Sequence, residues 1–241
     1  MPTERLYLDD GDVFTADARV MAVRADALAC DRTCFYPGGG GQPPDQGVID
    51  IDGVGSIPIA SVSAEADGIV WHVAGAPIPP EAAGRAARLA IDRTRRLTLT
   101  RYHTVLHVLN TTALRTYGGW ITGVQIGMDY SRIDFTLEDF SPAVVADLET
   151  RVNAVLVEDH TLVASYISET EFRARDDLRR TLIAEPPVID GRVRIVTITS
   201  FDAQACGGTH VHSTRDVGHL TIFRTENKGR RNKRLYLRLT P

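Results

Sequence analysis

The first part of the chain, residues 1–91, alternates short apolar runs with breaks of glycine, aspartate and proline. No apolar period of three to four residues is sustained there, so the pattern predicts strands rather than helices. The predicted strands include residues 6–8, 20–23, 48–51, 57–59 and 69–73, and residues 85–92 form the last one. Many short strands separated by turn residues are typical of a small β-barrel. We therefore predict an N-terminal small β-barrel domain at 1–91.

The second part, residues 92–241, mixes helical and strand patterns. Residues 95–114 carry apolar side chains at three- and four-residue steps, and Gly118 and Gly119 follow as helix terminators. Further helices are predicted at 142–157 and 169–182, and strands at 123–127, 132–135, 193–200, 219–223 and 234–239. The predicted fold class is α+β, in which the barrel is followed by an α/β domain with a mostly antiparallel sheet.

Composition narrows the class of protein. The chain has 241 residues, of which 43% are hydrophobic and 24% are charged, as in an ordinary globular protein. The net charge of −4 argues against non-specific coating of nucleic acid, so any nucleic-acid contact is expected to be local. Three cysteines do not suggest a disulfide framework and favour a reducing compartment. Without a membrane-length apolar run or a signal-peptide core, the prediction is a cytoplasmic protein with no membrane contact and no evident obligate protein partner.

Two residue pairs carry candidate metal chemistry. His103 and His107 lie four residues apart on the apolar stripe of the predicted helix, so their side chains share one face. Cys206 and His210 repeat the same separation about a hundred residues later. A lone histidine on such a stripe is more often a core residue, but three imidazoles and a thiol match the ligands that zinc prefers. We predict one Zn²⁺ per chain at this set, with its structural or catalytic role left open.

Two further segments allow two interpretations each. Residues 38–41 are four consecutive glycines, whose backbone N–H groups could cradle a phosphate or could simply form a wide hairpin. Gln42, which follows, could bind a ligand or cap the turn. Residues 228–234 contain five cations and could bind phosphates or form a solvated hairpin tip.

Several motifs together resemble the alanyl-tRNA editing family. These are the free-standing AlaX proteins, related to the editing domain of alanyl-tRNA synthetase, and the resemblance is to the medium-length type with an N-terminal barrel. Gly38 and Cys34 depart from the family pattern. The matching residues are His103 and His107, the run 201–211, Asp92 with Arg95 and Arg96, the runs 123–127 and 133–135, the run 232–234, and the glycine-rich segment 35–47.

The resemblance implies hydrolysis of the ester that joins a wrong amino acid, chiefly serine and secondarily glycine, to tRNA(Ala), without ATP. It implies an aminoacyl-tRNA deacylase that supports translation fidelity, with the charged tRNA(Ala) acceptor end as partner. His103, His107, Cys206 and His210 become the zinc ligands, and Gln125 and Thr209 the catalytic candidates that hold the amino acid or the attacking water. The residues implied to contact tRNA are Gly39, Gly40, Gly41, Gln42, Arg231, Asn232 and Arg234.

Two other functions fit the same residues. An aminoacyl transferase would pass the aminoacyl group from tRNA to a small amine or hydroxyl compound instead of water. A non-catalytic, zinc-stabilised tRNA-binding module would bind without cleaving. The sequence assigns no general base, and a deacylation assay without added acceptor separates the three possibilities.

Overall fold

The computed structural model describes residues 1–181, 185–229 and 232–240. The chain divides into two compact units. The barrel unit comprises Met1–Gly39 and Pro43–Thr98, and the second unit comprises Gly40–Gln42 and Leu99–Pro241. The boundary expected between residues 91 and 92 lies at the end of a strand, whereas the observed division falls a few residues later, inside a helix.

The barrel unit contains a closed antiparallel barrel of six strands, as predicted. Its core consists of fully buried aliphatic side chains such as Val20, Leu28, Ile49 and Leu89. The strands follow the barrel order β2-β3-β7-β6-β5-β8, and the short strands β1 and β4 pair in parallel beside it. The bounds are β1 Glu4–Arg5, β2 Thr15–Val23, β3 Ala27–Cys30, β4 Arg32–Thr33, β5 Gly47–Ile51, β6 Gly55–Ala64, β7 Val70–Ala74 and β8 Ala86–Ile91.

The strand predicted at residues 6–8 is wrong, because Leu6–Leu8 forms a 3₁₀ turn. The backbone N–H groups of Asp9 and Asp10 both donate to the Leu6 carbonyl, at 3.3 and 3.2 Å. Tyr7 and Leu8 are both buried, although neighbouring side chains of a strand would point to opposite faces. A three-residue apolar run is too short to distinguish a turn from a strand.

A buried ion pair fixes the interior of the barrel unit. The side chains of Arg96 and Asp45 are 0% and 1% exposed, and their ion pair includes contacts from Arg96 Nε to both carboxylate oxygens at 3.2 Å. Arg96 also donates to the carbonyls of Gly11 at 2.7 Å and Cys34 at 2.6 Å, and Tyr36 N donates to Asp45 Oδ2 at 2.7 Å. The buried charges are therefore paired and their hydrogen-bonding groups largely used.

The second unit packs helices against antiparallel strands, which confirms the predicted α+β class. Within the described part of this unit, the strands form two sheets, one with the order β15-β16-β10-β9 and one with β11-β13-β12, in which β14 also pairs with β13. Leu109, Phe135, Leu148 and Leu235 are among the fully buried residues of its core. The bounds are α1 Arg93–Tyr117, β9 Ile121–Gln125, β10 Ser131–Phe135, α2 Pro142–Val157, β11 Leu162–Ser168, α3 Glu169–Arg173, β12 Val188–Ile189, β13 Arg192–Ile198, β14 Asp202–Ala205, β15 His219–Asn227 and β16 Lys233–Thr240.

The helix predicted at 169–182 is largely wrong. Only α3 is helical, Asp176–Leu178 forms a 3₁₀ turn, and residue 182 lies outside the described residues. Phe172 and Leu178 are the buried apolar side chains there, and a spacing of six residues does not place them on one helical face. No described helix has the length and apolar content needed to cross a membrane.

Candidate metal centre

Helix α1 presents His103 and His107 on its buried face. The helix starts after Asp92, whose Oδ1 accepts a hydrogen bond from Arg95 N at 3.0 Å and so caps the first turn. Leu99 and Leu106 pack into the core on the same stripe and hold the helix in place. Both histidines are therefore directed inward, with 6% and 5% of their surface exposed.

Strand β14 delivers Cys206 and is anchored to α1 by polar side chains. Asp202 Oδ2 accepts from Thr111 Oγ1 at 2.8 Å, and Gln204 Oε1 accepts from Asn110 Nδ2 at 3.0 Å. The chain then turns through two glycines to His210. The motif residues Asp202 and Gln204 are thus explained as anchors that bring Cys206 next to α1.

The four expected ligands form one cluster. Their ligand atoms all lie within 4.8 Å of one another. Cys206 Sγ lies 3.4 Å from His103 Nε2 and 3.3 Å from His210 Nε2. Zinc bound tetrahedrally at its usual bond lengths separates sulfur and nitrogen ligands by roughly 3.5 Å. The spacing of the cluster therefore fits a metal ion.

The protonation of the cluster also favours a cation. Burial, with a smaller contribution from the Arg194 guanidinium, lowers the pKa of His103 to about 3. Burial likewise holds the pKa values of His107 and His210 well below normal, and neighbouring imidazoles add to the effect. All three rings are therefore neutral at pH 7 and have lone pairs available. Burial raises the pKa of the Cys206 thiol, so its thiolate form needs a nearby positive charge.

Hydrogen bonds fix which ring nitrogen of His210 faces the cluster. Thr104 Oγ1 donates its one proton to the Thr100 carbonyl at 3.0 Å, so it can only accept from its other neighbours. Those neighbours are Val211 N and His210 Nδ1, each at 3.2 Å. His210 Nδ1 therefore carries a proton, and the Nε2 lone pair points toward Cys206. The sequence interpretation missed Thr104, because its partner His210 lies 106 residues further along the chain.

The His107 ring is an independent indication that the cluster can bind a metal ion. Its buried Nδ1 has no hydrogen-bond partner among the described residues. Buried polar atoms are seldom left unpaired, because the free energy lost on desolvation is then not offset by a new hydrogen bond. Together with the donor chemistry of the other three side chains, this orphaned nitrogen shows that the residues present fit a bound metal.

The glycine run adopts a conformation that explains its composition. Gly38, Gly39, Gly40 and Gly41 have φ values of 85°, 136°, 57° and 84°, all in the region that favours glycine. At Gly41 an added Cβ would also lie 2.7 Å from a Val124 side-chain carbon. The backbone path alone therefore requires these glycines, whether or not the segment contacts tRNA.

The expected tRNA-contacting side chains are mostly engaged within the second unit. Gln42 is buried and contacts His103 and Thr209. Arg234 forms a two-pronged ion pair with Asp134 at 2.7 and 2.8 Å, and Asn232 Oδ1 accepts from Thr122 Oγ1 at 2.8 Å. Of the other cations in the basic run, Lys228 pairs with Glu226 and Lys233 is buried. Arg231 lies outside the described residues.

The two catalytic candidates occupy different environments. Thr209 is fully buried, and its Oγ1 lies 2.9 Å from Gln42 Nε2 and 2.8 Å from Thr100 Oγ1. Gln125 is exposed at the end of β9, and its Oε1 accepts from Arg132 Nε at 2.8 Å. The structure thus brings Thr209 into the network around the ligands. Among the described hydrogen bonds of Gln125, none reaches a ligand.

At Gly208, between Cys206 and His210, a single added methyl group would collide with the His103 ring. An added Cβ would lie 2.1 Å from His103 Cε1, 2.4 Å from its Nδ1 and 3.2 Å from Gln42 Oε1. We expect Gly208→Ala to displace the His103 ring and to lower zinc affinity by at least about tenfold, the lower end of the loss seen when ligand orientation is disturbed. Zinc titration against a competing chelator measures this, with Gly75→Ala as control because nothing lies within 4 Å of its added Cβ. Equal affinities of the two variants would contradict the expectation.

Comparison with known proteins places the chain in a family. Residues 193–236 match the family described as the threonyl and alanyl tRNA synthetase second additional domain. The chain is 35% identical to the alanine–tRNA ligase of Pyrococcus abyssi over 93% of its own length, but it spans only 24% of that protein. It is 33% identical to the alanyl-tRNA editing protein AlaX-M of Methanosarcina acetivorans, over 98% of this chain and 99% of the relative. The corresponding protein of Saccharolobus solfataricus is 29% identical over 99% of this chain and 100% of the relative. The chain therefore belongs to the AlaX-M family of alanyl-tRNA editing proteins.

Proposed function

We propose that the protein is a zinc-dependent deacylase, which hydrolyses mischarged tRNA(Ala) in the cytoplasm and releases the free amino acid. The observation that carries the proposal is the buried convergence of His103, His107, Cys206 and His210, in a chain similar over its whole length to AlaX-M proteins. The amino acid removed is chiefly serine, with glycine as a second substrate. The partner is the charged acceptor end of the tRNA.

The need for such an enzyme follows from the limits of small-molecule recognition. An active site built for alanine cannot strongly reject glycine or serine, because each differs from alanine by very few atoms. A second site can instead bind the serine hydroxyl, which alanine lacks. Discrimination that rests on a polar group of the substrate is much stronger than discrimination by size.

The ligand set and its neighbours have distinct roles in this reaction. When bound, a zinc ion supplies Lewis-acid chemistry, which polarises an ester carbonyl and makes water more acidic. His103, His107, Cys206 and His210 would hold the ion. Thr104 keeps the His210 ring oriented by accepting a hydrogen bond from its Nδ1–H group. Leu99 and Leu106 pack into the core and hold α1, the helix that carries two of these ligands.

The substrate contacts are proposed at three places. Gln125 and Thr209 hold the amino acid or the attacking water. Gly39, Gly40 and Gly41 receive the acceptor end, because left-handed glycine backbone leaves N–H groups unobstructed by side chains. Asn232, Arg234 and Arg231 contribute at the basic run, where Arg234 retains its positive charge while paired with Asp134. A local basic site suits a chain whose net charge is −4.

We expect the purified protein to release free serine from Ser-tRNA(Ala) without any added acceptor, and to leave Ala-tRNA(Ala) almost intact. Water is the nucleophile in a deacylase, so no second substrate is required. The measurement is the loss of radiolabelled aminoacyl-tRNA over time, with Ser-, Gly- and Ala-tRNA(Ala) compared at equal enzyme concentration.

Two outcomes would contradict hydrolysis. Loss of the serine ester only when a small amine or hydroxyl compound is supplied would identify an aminoacyl transferase. Binding of tRNA without ester cleavage would identify a non-catalytic module.

A further inference from the structure

A short stretch of the glycine segment belongs to the metal-containing unit. Gly40–Gln42 forms part of the second unit, whereas the residues before and after it belong to the barrel unit. Gln42 has only 2% of its surface exposed, which is unusual for a glutamine. Its side chain therefore has to find hydrogen-bond partners inside the second unit.

The orientation of the Gln42 amide follows from a backbone contact. Thr209 N lies 3.3 Å from one terminal atom of the amide, and a backbone N–H can only donate. That atom must accept, so it is Oε1 and the other is Nε2. Nε2 in turn lies 2.9 Å from Thr209 Oγ1, which accepts from it. The two contacts with Thr209 thus define the amide without ambiguity.

The amide orientation determines the protonation of a metal ligand. Gln42 Oε1 also lies 2.7 Å from His103 Nδ1. Because Oε1 has no proton to donate, His103 Nδ1 must carry one. The neutral ring then has its lone pair on Nε2, the nitrogen that faces Cys206 Sγ at 3.4 Å. An imidazole that binds metal through one nitrogen and donates from the other is the usual arrangement in metal sites.

We propose that Gln42 is a positioning residue of the metal centre, which fixes the tautomer and ring orientation of His103 and ties that ring to Thr209. This inference rests on the proposed metal-dependent function but assigns Gln42 a role different from contact with tRNA. Oε1 already accepts two hydrogen bonds, and Nε2 donates one to the fully buried Thr209. The buried amide is occupied by the centre itself.

The backbone next to Gln42 holds the amide in place. The Gly41 carbonyl accepts from Ile126 N at 2.8 Å, and Gly41 packs so closely on Val124 that no side chain fits. On the other side, Thr209 Oγ1 continues the network to Thr100 Oγ1 at 2.8 Å on α1. Both ends of the Gln42 residue are therefore fixed, as an orienting role requires.

The test measures zinc affinity, which needs no tRNA. We expect Gln42→Met, which keeps the side-chain length but removes both polar atoms, to weaken zinc binding about tenfold to 100-fold. Gln42→Glu retains an acceptor for His103 Nδ1 and is expected to recover most of that loss. The control is Gln46→Met, because the Gln46 side chain is exposed and, among the described contacts, bonds only to the Ala60 carbonyl. Affinity is read by titration with zinc alone against a competing chelator.

The outcomes separate this inference from the proposed function. The inference would be overturned if the zinc affinity of Gln42→Met lay within about twofold of that of the Gln46→Met control. It would also be overturned if Gln42→Glu bound zinc no more tightly than Gln42→Met. Binding of uncharged tRNA should be unchanged in both Gln42 variants, and a selective loss there would instead indicate direct tRNA contact. If the zinc affinities of the variants rank as expected but the protein cleaves no ester, the proposed function is refuted and this inference is supported.

A measurement on the unmodified protein avoids any question about whether the variants fold. Histidine ¹⁵N–¹H correlation spectra report which ring nitrogen carries a proton. We expect His103 to be protonated at Nδ1 with a slowly exchanging proton, as a buried hydrogen bond to Gln42 Oε1 requires. A proton on Nε2 and none on Nδ1 would overturn the inference, because His103 would then donate no hydrogen bond to Gln42 Oε1.

Discussion

Replacing Cys206 with alanine is expected to abolish zinc binding and to reduce ester hydrolysis by about 10²–10⁴-fold, the equivalent of the several kcal/mol that a metal Lewis acid supplies. The reason lies in the donor set. Cys206 is the one sulfur ligand in the cluster, and its thiolate would be the one negative charge facing three neutral imidazoles. Without it the site would have to hold a dication with no compensating charge.

The matched control is Cys30→Ala, which removes a buried thiol from the barrel core and leaves the ligand cluster untouched. Zinc content by atomic emission and deacylation of Ser-tRNA(Ala) are measured on the same preparations. The unmodified protein and the control should both contain about one zinc per chain. Full activity in a Cys206→Ala protein without zinc would defeat the assignment of the metal to the reaction.

Asp45→Ala is expected to lower the free energy of unfolding by about 3–5 kcal/mol, the cost of leaving a buried charge without its partner. Arg96 would remain inside the barrel unit with its guanidinium fully buried, and the carbonyls of Gly11 and Cys34 cannot neutralise it. Tyr36 N would also lose the carboxylate oxygen that it bonds at 2.7 Å. Both effects act against the folded barrel unit.

Urea denaturation followed by fluorescence measures this loss. The control Asp17→Ala removes a carboxylate whose nearest contact with Arg88 is 3.9 Å and whose side chain is 86% exposed. Exposed ion pairs contribute little, so this variant should unfold at the same urea concentration as the unmodified protein. Similar unfolding curves for the two variants would show that the Arg96 charge finds another partner when Asp45 is absent.

The sequence identifies the four residues of the His/Cys cluster because the information is local. His103 and His107 share a helical face by their spacing alone, and Cys206 and His210 repeat that spacing. Helix α2 was predicted at 142–157 and is observed as Pro142–Val157, since its apolar period and the proline in its first turn are both local signals. What the pattern left open was whether the two pairs meet, which only tertiary structure decides.

The residues that orient the ligands could not be predicted in the same way. Gln42 lies 61 residues before His103, and Thr104 lies 106 residues before His210. No period or short motif links positions so far apart, and glutamine and threonine are common at surfaces. The environment of the basic run was hidden for a related reason: charge density along the chain does not reveal that Lys233 is buried and that Arg234 pairs with Asp134.

The placement of Gly40–Gln42 in the second unit has a consequence for how this protein can be cut or recombined. A fragment that begins at residue 92 would contain all four metal-binding side chains and still lack the acceptor for His103 Nδ1. In a chimera that takes only its C-terminal portion from a relative, the relative's histidine at the position of His103 would likewise have to bond to the Gln42 of this protein. The tripeptide and the portion from Leu99 onward would therefore have to be transferred together, although Pro43–Thr98 separates them along the chain.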